Sequence, residues 1–338
     1  MKIKEKYSLR SLNTFGLKVD AKYFTVVASH DEIKEACLFT KDKNIPFLVL
    51  GGGSNILFKD DFQGLTVKNE LKGLSVIDET DDYVIVKVMG GEVWDDFVKY
   101  CTEKGWGGVE NLSLIPGSVG AGPVQNIGAY GMELKDSFVE LDAFFLKTGN
   151  IKTFLKEECD FGYRTSIFKK RLKGEVFIES VTFRLNKKPV LKTGYGAIED
   201  ELSAITDRKI TVQDVREAVI KIRRSKLPDT ADIGNAGSFF KNPVVSETVF
   251  SELRERYPEI VSFRQPDGRY KLAAGWLIDK CGWKGKRAGD AGVHSRQALV
   301  LVNYGNATGE DILNLARKIE QSVIERFGVK LEREVNVI

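Results

Sequence analysis

Histidine, cysteine and proline are scarce in this chain. Its 338 residues include two histidines, His30 and His294, four cysteines and eight prolines. Cys37, Cys101, Cys159 and Cys281 lie 58 or more residues apart and form no CxxC. That spacing excludes a zinc-finger pattern and a disulfide framework, so reduced thiols in a cytosol and no metal are expected. So few prolines beside 42% hydrophobic residues exclude a Pro/Gly-rich disordered chain. No apolar run nears the ~18 residues of a membrane span, and MKIKEKYSLR lacks the apolar stretch of a signal peptide. Charge of one sign is not in excess either. Lys plus Arg is 51 against 48 Asp plus Glu, a net +3, without the basic surplus of a nucleic-acid binder.

Glycine is plentiful and unevenly placed. Of 32 glycines, 15 fall between residues 51 and 131. The length predicts about two domains.

Local patterns supply the elements. Ser29 and Glu32 have capping-box spacing, and Ile33, Ala36, Cys37 and Thr40 share one side of the helix that follows. Phe47–Leu50 reads as a short strand, as does Val84–Val88. Trp94, Phe97, Val98 and Cys101 give helical spacing over 92–104, with Gly105 as its stop. Phe177, Val181, Phe183 and Leu185 form one face of a strand. Thr211 and Asp214 start a helix with Val215, Ala218, Val219 and Ile222 inward, stopped by Pro228. Leu272–Cys281 predicts another helix, Ala298–Val302 a buried strand, and Thr308 with Asp311 cap a long helix ending near Gly328. Val329, Leu331, Val335 and Val337 alternate as a last strand, with Lys330, Glu332, Glu334 and Asn336 on its polar face. Strands and helices in two blocks give an α+β, two-lobed fold.

Two loops carry the glycine. In FLVLGGGSN a strand delivers Gly51-Gly52-Gly53-Ser54-Asn55. Glycines let backbone N–H groups turn inward and a phosphate approach, but a tight turn between strands explains this loop equally well. It has no Lys for a P-loop, and Ile56 stands where a dinucleotide fingerprint needs its third Gly. The second loop, Ile115-Pro116-Gly117-Ser118-Val119-Gly120-Ala121-Gly122-Pro123-Val124-Gln125-Asn126-Ile127-Gly128-Ala129-Tyr130-Gly131, has no charged residue. It reads as a buried connection or as a backbone-lined slot for a flat, phosphate-bearing cofactor. Ser118, Gln125 and Asn126 are neutral partners for the edge of a ring.

GGGSN followed by IPGSVGAGPVQNIGAYG resembles the flavin domain of the UDP-N-acetylenolpyruvoylglucosamine reductases. Asn13-Thr14-Phe15-Gly16, Phe161-Gly162-Tyr163-Arg164, the Gly234–Pro243 stretch GNAGSFFKNP and Leu331-Glu332-Arg333-Glu334-Val335 are further matches, in family order over nearly the whole chain. The resemblance implies an FAD-binding domain of the vanillyl-alcohol-oxidase/PCMH type plus a C-terminal α+β substrate-binding domain. Expected boundaries are 15–188, a connecting segment with a Tyr loop at 189–209, and 210–338, the last strand returning to the FAD domain. The cofactor implied is non-covalent FAD, held by Gly51, Gly52, Gly53, Ser54, Asn55, Ile115, Pro116, Gly117, Ser118, Gly122, Gln125, Asn126, Ile127, Gly128 and Ile178. Neither loop has a His or Cys to attach it covalently.

The resemblance also implies the chemistry. NADPH reduces the flavin, which reduces UDP-N-acetylglucosamine enolpyruvyl ether to UDP-N-acetylmuramate for peptidoglycan. Ser238, which alone reads as a turn residue and lies in no GxSxG elbow, matches the proton donor. Arg164 and Glu334, by themselves surface charges, match the pair that polarises the enolpyruvyl carboxylate; Glu334 is expected in its acid form there. Tyr195 lies in a matching loop that closes over the substrate, and Lys226, Asn242, Lys284 and Gln297 match substrate-side positions; Arg223, at the end of the same helix as Lys226, reads as a solvated charge or as a further cation for the substrate diphosphate. Trp283 and His294 are given no role. Arg333 stands where relatives often have Pro, and Glu334 needs its strand held in a sheet. A monomeric bacterial cytoplasmic enzyme is expected. An FAD oxidase of a small alcohol or sugar, which would consume oxygen without NADPH, and a colourless nucleotide-sugar binding protein are the alternatives.

Overall fold

A computed structural model describes all 338 residues. By internal packing the chain forms two units. The first comprises Met1–Tyr7, Ala21–Gly52 and Phe62–Ser225; the second comprises Ser8–Asp20, Gly53–Asp61 and Lys226–Ile338. No helix is long and apolar enough to cross a membrane.

The first unit has two large sheets and a two-stranded one, Gly128–Ala129 with Met132–Glu133. One large sheet orders its strands Lys4–Ser8, Asp20–Val27, Phe62–Asn69, Phe47–Leu50. The last three run parallel, so their connection needs a crossover. Helix α1, His30–Lys43, makes it, starting where Ser29 Oγ accepts from the Glu32 amide. Its Ile33 and Ala36 pack with Val27, Leu65, Val67, Phe144 and Phe177 in one core. The other large sheet is antiparallel, in the order Ile151–Leu155, Phe138–Phe145, Val176–Asn186, Tyr83–Met89, Leu74–Glu79. Helix α2, Trp94–Glu103, lays Trp94, Phe97, Val98 and Cys101 on the core of this sheet. Lys104 closes α2 and Gly105 follows at φ +75°, the left-handed step the spacing predicts. Helices α3, Gly196–Leu202, and α4, Val212–Lys226, share a separate apolar cluster of Ile198, Leu202, Val215, Ala218, Val219 and Ile222. Helix α3 was not expected in the connecting segment. Only Ile198 and Leu202 of its seven residues are buried, too short a pattern to stand out.

The second unit has an antiparallel sheet ordered Gly234–Ser238, Val300–Asn303, Ala291–Val293, Arg287–Ala288. A smaller sheet joins Val244–Val245, Tyr270–Leu272 and Ser262–Arg264, and α5 is Glu247–Arg256. Helix α6 spans Ala274–Lys280; the predicted start at Leu272 is too early, because Leu272 is taken by strand pairing with Ser262. Helix α7, Gly309–Phe327, opens on the Thr308–Asp311 capping box and closes on Gly328 at φ +67°. The expected last strand shrinks to Asn336–Val337, parallel to Ile56–Leu57. Val329, Leu331 and Val335 are buried as the alternation implies, but residues 329–332 belong to no strand.

Candidate active site

In the first unit the two glycine loops pack on each other. A Cβ at Gly51 would strike Ser118 Oγ, and one at Gly52 would lie 2.8 Å from Gly117 Cα. Gly117 itself has φ +126°, open essentially to glycine alone. The amides of Gly52, Gly117 and Ser118 donate to no group of the chain. Three amides without an acceptor, two of them on glycines, fit the phosphates of a dinucleotide. The loop is held from behind: Trp94 N–H donates to Gly117 O at 3.0 Å and Val119 N–H to Glu92 O at 2.8 Å. Lys68 Nζ donates to Gly51 O at 2.8 Å. A Cβ on Gly120 would sit 3.1 Å from Ile178 O, and one on Gly122 2.6 Å from Leu134 Cδ1, so Ile178 lines the same backbone layer. Ile127 is buried in the core and Ile115 packs against it.

Asn126 does different work from that expected. It is fully buried at φ +45°. Its side-chain NH2 donates to Glu133 Oε2 at 3.0 Å and Gly162 O at 3.1 Å, while its oxygen accepts from Lys135 N–H at 3.0 Å. Both donors are spent, so the side chain braces the loop and leaves none for a ring edge. Gln125 Oε1 accepts from Lys169 Nζ at 3.3 Å.

The Asn126–Gly162 bond brings in the turn that carries Arg164. Gly162 and Thr165 exchange both backbone hydrogen bonds, and Arg164 between them has φ +53°. Arg164 Nη2 donates to Gly128 O at 2.5 Å, and a Cβ on Gly128 would lie 2.9 Å from Arg164 Nη1. Arg223 of α4 reaches the same corner. Burial, against the pull of Tyr130 and Asp95, and the charge of Arg164 hold its guanidinium below the usual arginine range, yet it stays cationic. Its Nε has no hydrogen-bond partner. Tyr130, at φ +49°, hydrogen-bonds Arg223 through its phenol, which burial pushes up. The Tyr130 ring meets Tyr195 edge-on at 5.4 Å. Arg164, Arg223 and Tyr195 therefore converge in one corner, whose two cations favour an anion. Tyr130 was missed: a tyrosine before glycine gives no warning of a left-handed backbone.

The second unit holds the other group. Ser238 ends a strand paired to Val300, and Gly237 before it has φ +66° with its N–H on Asn235 Oδ1 at 2.9 Å. Glu334 N–H donates to Phe239 O at 2.8 Å, and Lys241 N–H to Glu332 O at 2.8 Å. Ser238 and Glu334 thus sit on neighbouring segments, one residue out of step. On its other side the segment meets the turn at Ser54 and Asn55: Asn55 Nδ2 donates to Glu334 O at 3.4 Å, and Asn336 N–H to Asn55 O at 3.1 Å. At Gly53, φ +65°, a Cβ would strike Leu12 O. Arg333 anchors the segment to α7 with a fork on Glu320, 2.6 and 2.8 Å. Asn242 Oδ1 accepts from Ala274 N–H at 2.9 Å, and a Cβ on Gly275 would lie 3.2 Å from Gln297 Oε1, so both mark the start of α6. Lys284 lies past the other end of α6, paired with Asp279 at 3.2 Å. Lys226 is the exposed last residue of α4.

A family model described as the C-terminal domain of UDP-N-acetylenolpyruvoylglucosamine reductase matches residues 228–338, and an FAD-binding domain model matches 21–154. The UDP-N-acetylenolpyruvoylglucosamine reductase of Flavobacterium johnsoniae is 48% identical over 339 aligned positions, covering 100% of each chain. This chain belongs to that family. The reductase of Amoebophilus asiaticus is 47% identical over 100% of each chain. The crystal structure of the Thermus caldophilus reductase has the same fold, with a TM-score of 0.68, 24% identity and coverage of 100% of this chain and 99% of that one. A 6-hydroxy-D-nicotine oxidase from Arthrobacter nicotinovorans shares the fold at TM-score 0.51 and 13% identity, covering 97% and 86%. For a reductase of this family, glycines 51, 52 and 117 supply backbone that fits FAD. Arg333, forked on Glu320, ties the Glu334 segment to α7.

Proposed function

We infer that this protein reduces UDP-N-acetylglucosamine enolpyruvyl ether to UDP-N-acetylmuramate with NADPH. When bound, FAD supplies the hydride chemistry, linking NADPH to C3 of the enol ether. The amides of Gly52, Gly117 and Ser118 would hold its diphosphate. Ser238 gives a proton to C2, and Arg164 and Glu334 stabilise the charge that builds on the carboxylate; such preorganised stabilisation is usually the largest catalytic contribution. Arg223, with Tyr195 beside it, takes the substrate's anionic part, and Lys226, Asn242, Lys284 and Gln297 complete the substrate side. The register of Glu334 on Phe239 carries this reading, because it sets an acid next to the segment of the proton-donating hydroxyl.

The family division into an FAD domain at 15–188, a connection at 189–209 and a substrate domain at 210–338 belongs to the same proposal, although α4 packs with the first unit. So do a bacterial cytoplasmic setting, in keeping with four free thiols, and a monomer that binds neither nucleic acid nor membrane.

The test follows the flavin spectrum anaerobically in wild type and Ser238→Ala. NADPH bleaches both. Substrate then re-oxidises the variant more slowly by roughly 10²–10⁴-fold, the usual worth of a general acid. Equal re-oxidation removes Ser238 from the role, and a protein that takes up no flavin removes the whole reading.

A further inference from the structure

Helix α4 carries Arg223, yet its apolar face packs on α3 and forms a cluster separate from the main core of the first unit. Apolar packing of this kind is non-directional and defines a helix's register less sharply than a polar contact does. A polar clamp fixes it elsewhere. Arg216, 7% exposed, forks onto Asp95, 25% exposed, with Nη1 to Oδ1 at 2.7 Å and Nη2 to Oδ2 at 2.9 Å. Asp95 Oδ1 also accepts from Leu114 N–H at 2.5 Å. Leu114, a non-glycine residue at φ +57°, leads into the Ile115–Gly117 backbone, which the Glu92–Trp94 segment just before Asp95 supports. Arg216 and Arg223 are seven residues apart, hence on one face of α4 and about 10 Å apart along its axis. A planar two-pronged contact sets register where apolar contact does not. Burial raises the Asp95 carboxyl, but the Arg216 fork, the Leu114 amide and the charges of Arg216 and Arg223 hold it below the usual range.

We propose that Arg216 and Asp95 are positioning residues. The pair seats α4 on the flavin loop at Leu114 and thereby places the Arg223 guanidinium for the nucleotide-sugar substrate. A buried ion pair is weak support for stability by itself, and its replacement by uncharged groups is often harmless to the fold; here its geometry is what counts. The proposal rests on the reading that Arg223 meets substrate.

The test uses FAD-loaded Asp95→Asn/Arg216→Met, in which the asparagine still accepts from Leu114. KM for the enolpyruvyl sugar nucleotide is expected to rise about tenfold while kcat stays within about threefold, the mark of lost ground-state positioning. Arg223→Met raises KM similarly, and adding it to the double variant costs less than about twofold more, because residues acting through one another are non-additive. Asp95→Ala, which strips Leu114 N–H of its acceptor, raises the FAD Kd about fivefold or more by flavin fluorescence, whereas the double variant leaves it within about threefold. If the double variant loses its fold, Arg216→Lys keeps the charge without the fork and is expected to raise KM about fivefold. A KM within twofold of wild type in the folded double variant, or in Arg216→Lys where the double does not fold, overturns the clamp, as do additive effects with Arg223→Met. An unchanged FAD Kd in Asp95→Ala overturns its tie to the flavin loop. An unchanged KM in Arg223→Met alone overturns the reading of Arg223 and the clamp with it, while a wild type that NADPH fails to bleach points instead to the assigned reaction.

Discussion

Gly128 is glycine because of its neighbours, not its backbone angle. A methyl there would lie 2.9 Å from both Arg164 Nη1 and Met132 O, and the second is backbone that cannot step aside. Gly128→Ala should therefore push Arg164 off its carbonyl anchor and cut kcat about tenfold, with NADPH still bleaching the flavin; steady-state and single-turnover rates check this, and an unchanged kcat would remove Arg164's placement from the argument. Tyr130→Phe keeps the ring against Tyr195 and removes the hydroxyl from Arg223. It should raise KM for the sugar nucleotide about three- to tenfold with little change in kcat, because one hydrogen bond to a charged group is lost. A fall in kcat with KM unchanged would assign Tyr130 to the chemical step. For Arg164 and Ser238 the family motifs were the only signal of a role. Tyr130, Asp95 and Arg216 were not legible, although Arg216 shares a helix face with Arg223, and that spacing was the available signal.

Among the helices, α4 shows what local pattern can and cannot say. Its start was readable: Thr211 and Asp214 cap reciprocally, Thr211 N–H to Asp214 Oδ2 at 2.8 Å and Asp214 N–H to Thr211 Oγ1 at 3.3 Å. The fork of Arg208 on Asp214 was not. Arg208, followed by the Thr211 groups and against the opposing effect of burial, holds the Asp214 carboxyl well below the carboxylate range. A depressed folded pKa stabilises the fold above the unfolded value of about 3.9 and loses that contribution as pH falls through the folded one. Asp214→Asn should lower the Tm by about 2–4 °C at pH 7, as expected for a lost cap of about 1 kcal/mol. The gap should narrow below about pH 4; a gap that holds steady there would assign the loss to packing. The opposite lesson comes from residues 329–337. Alternation identified their buried side chains, but the segment satisfies its backbone on Phe239, Lys241 and Asn55 in turn, and side-chain periodicity carries no record of which partner takes each amide.

For the chain as a whole, the order of strand and helix patterns pointed to the α+β class and glycine placement marked two special loops, while the flavin and the reaction came from the family motifs. The sorting of segments into units was not legible, because nothing in the local pattern of 8–20 or 53–61 says that they pack with residues two hundred or more positions away. Removing Arg333–Ile338 would strip Glu320 of its fork and leave Ile56–Leu57 unpaired. We expect that truncation to lower the Tm of the second unit and abolish turnover while flavin is still bound; calorimetry and flavin absorbance check it, and an unaltered Tm would show the segment to be dispensable for folding.

The bond between Asn55 and Asn336 spans 281 residues. During synthesis the turn after Gly53 therefore waits for its partner until almost the whole chain shown has been made. Closing so long a loop costs entropy before any contact rewards it. The second unit should then be the late and slow part of folding, so an unfinished chain exposes Ile56 and Leu57 while it waits, and a chaperone that holds such a segment would act on this protein before the flavin site is ever used.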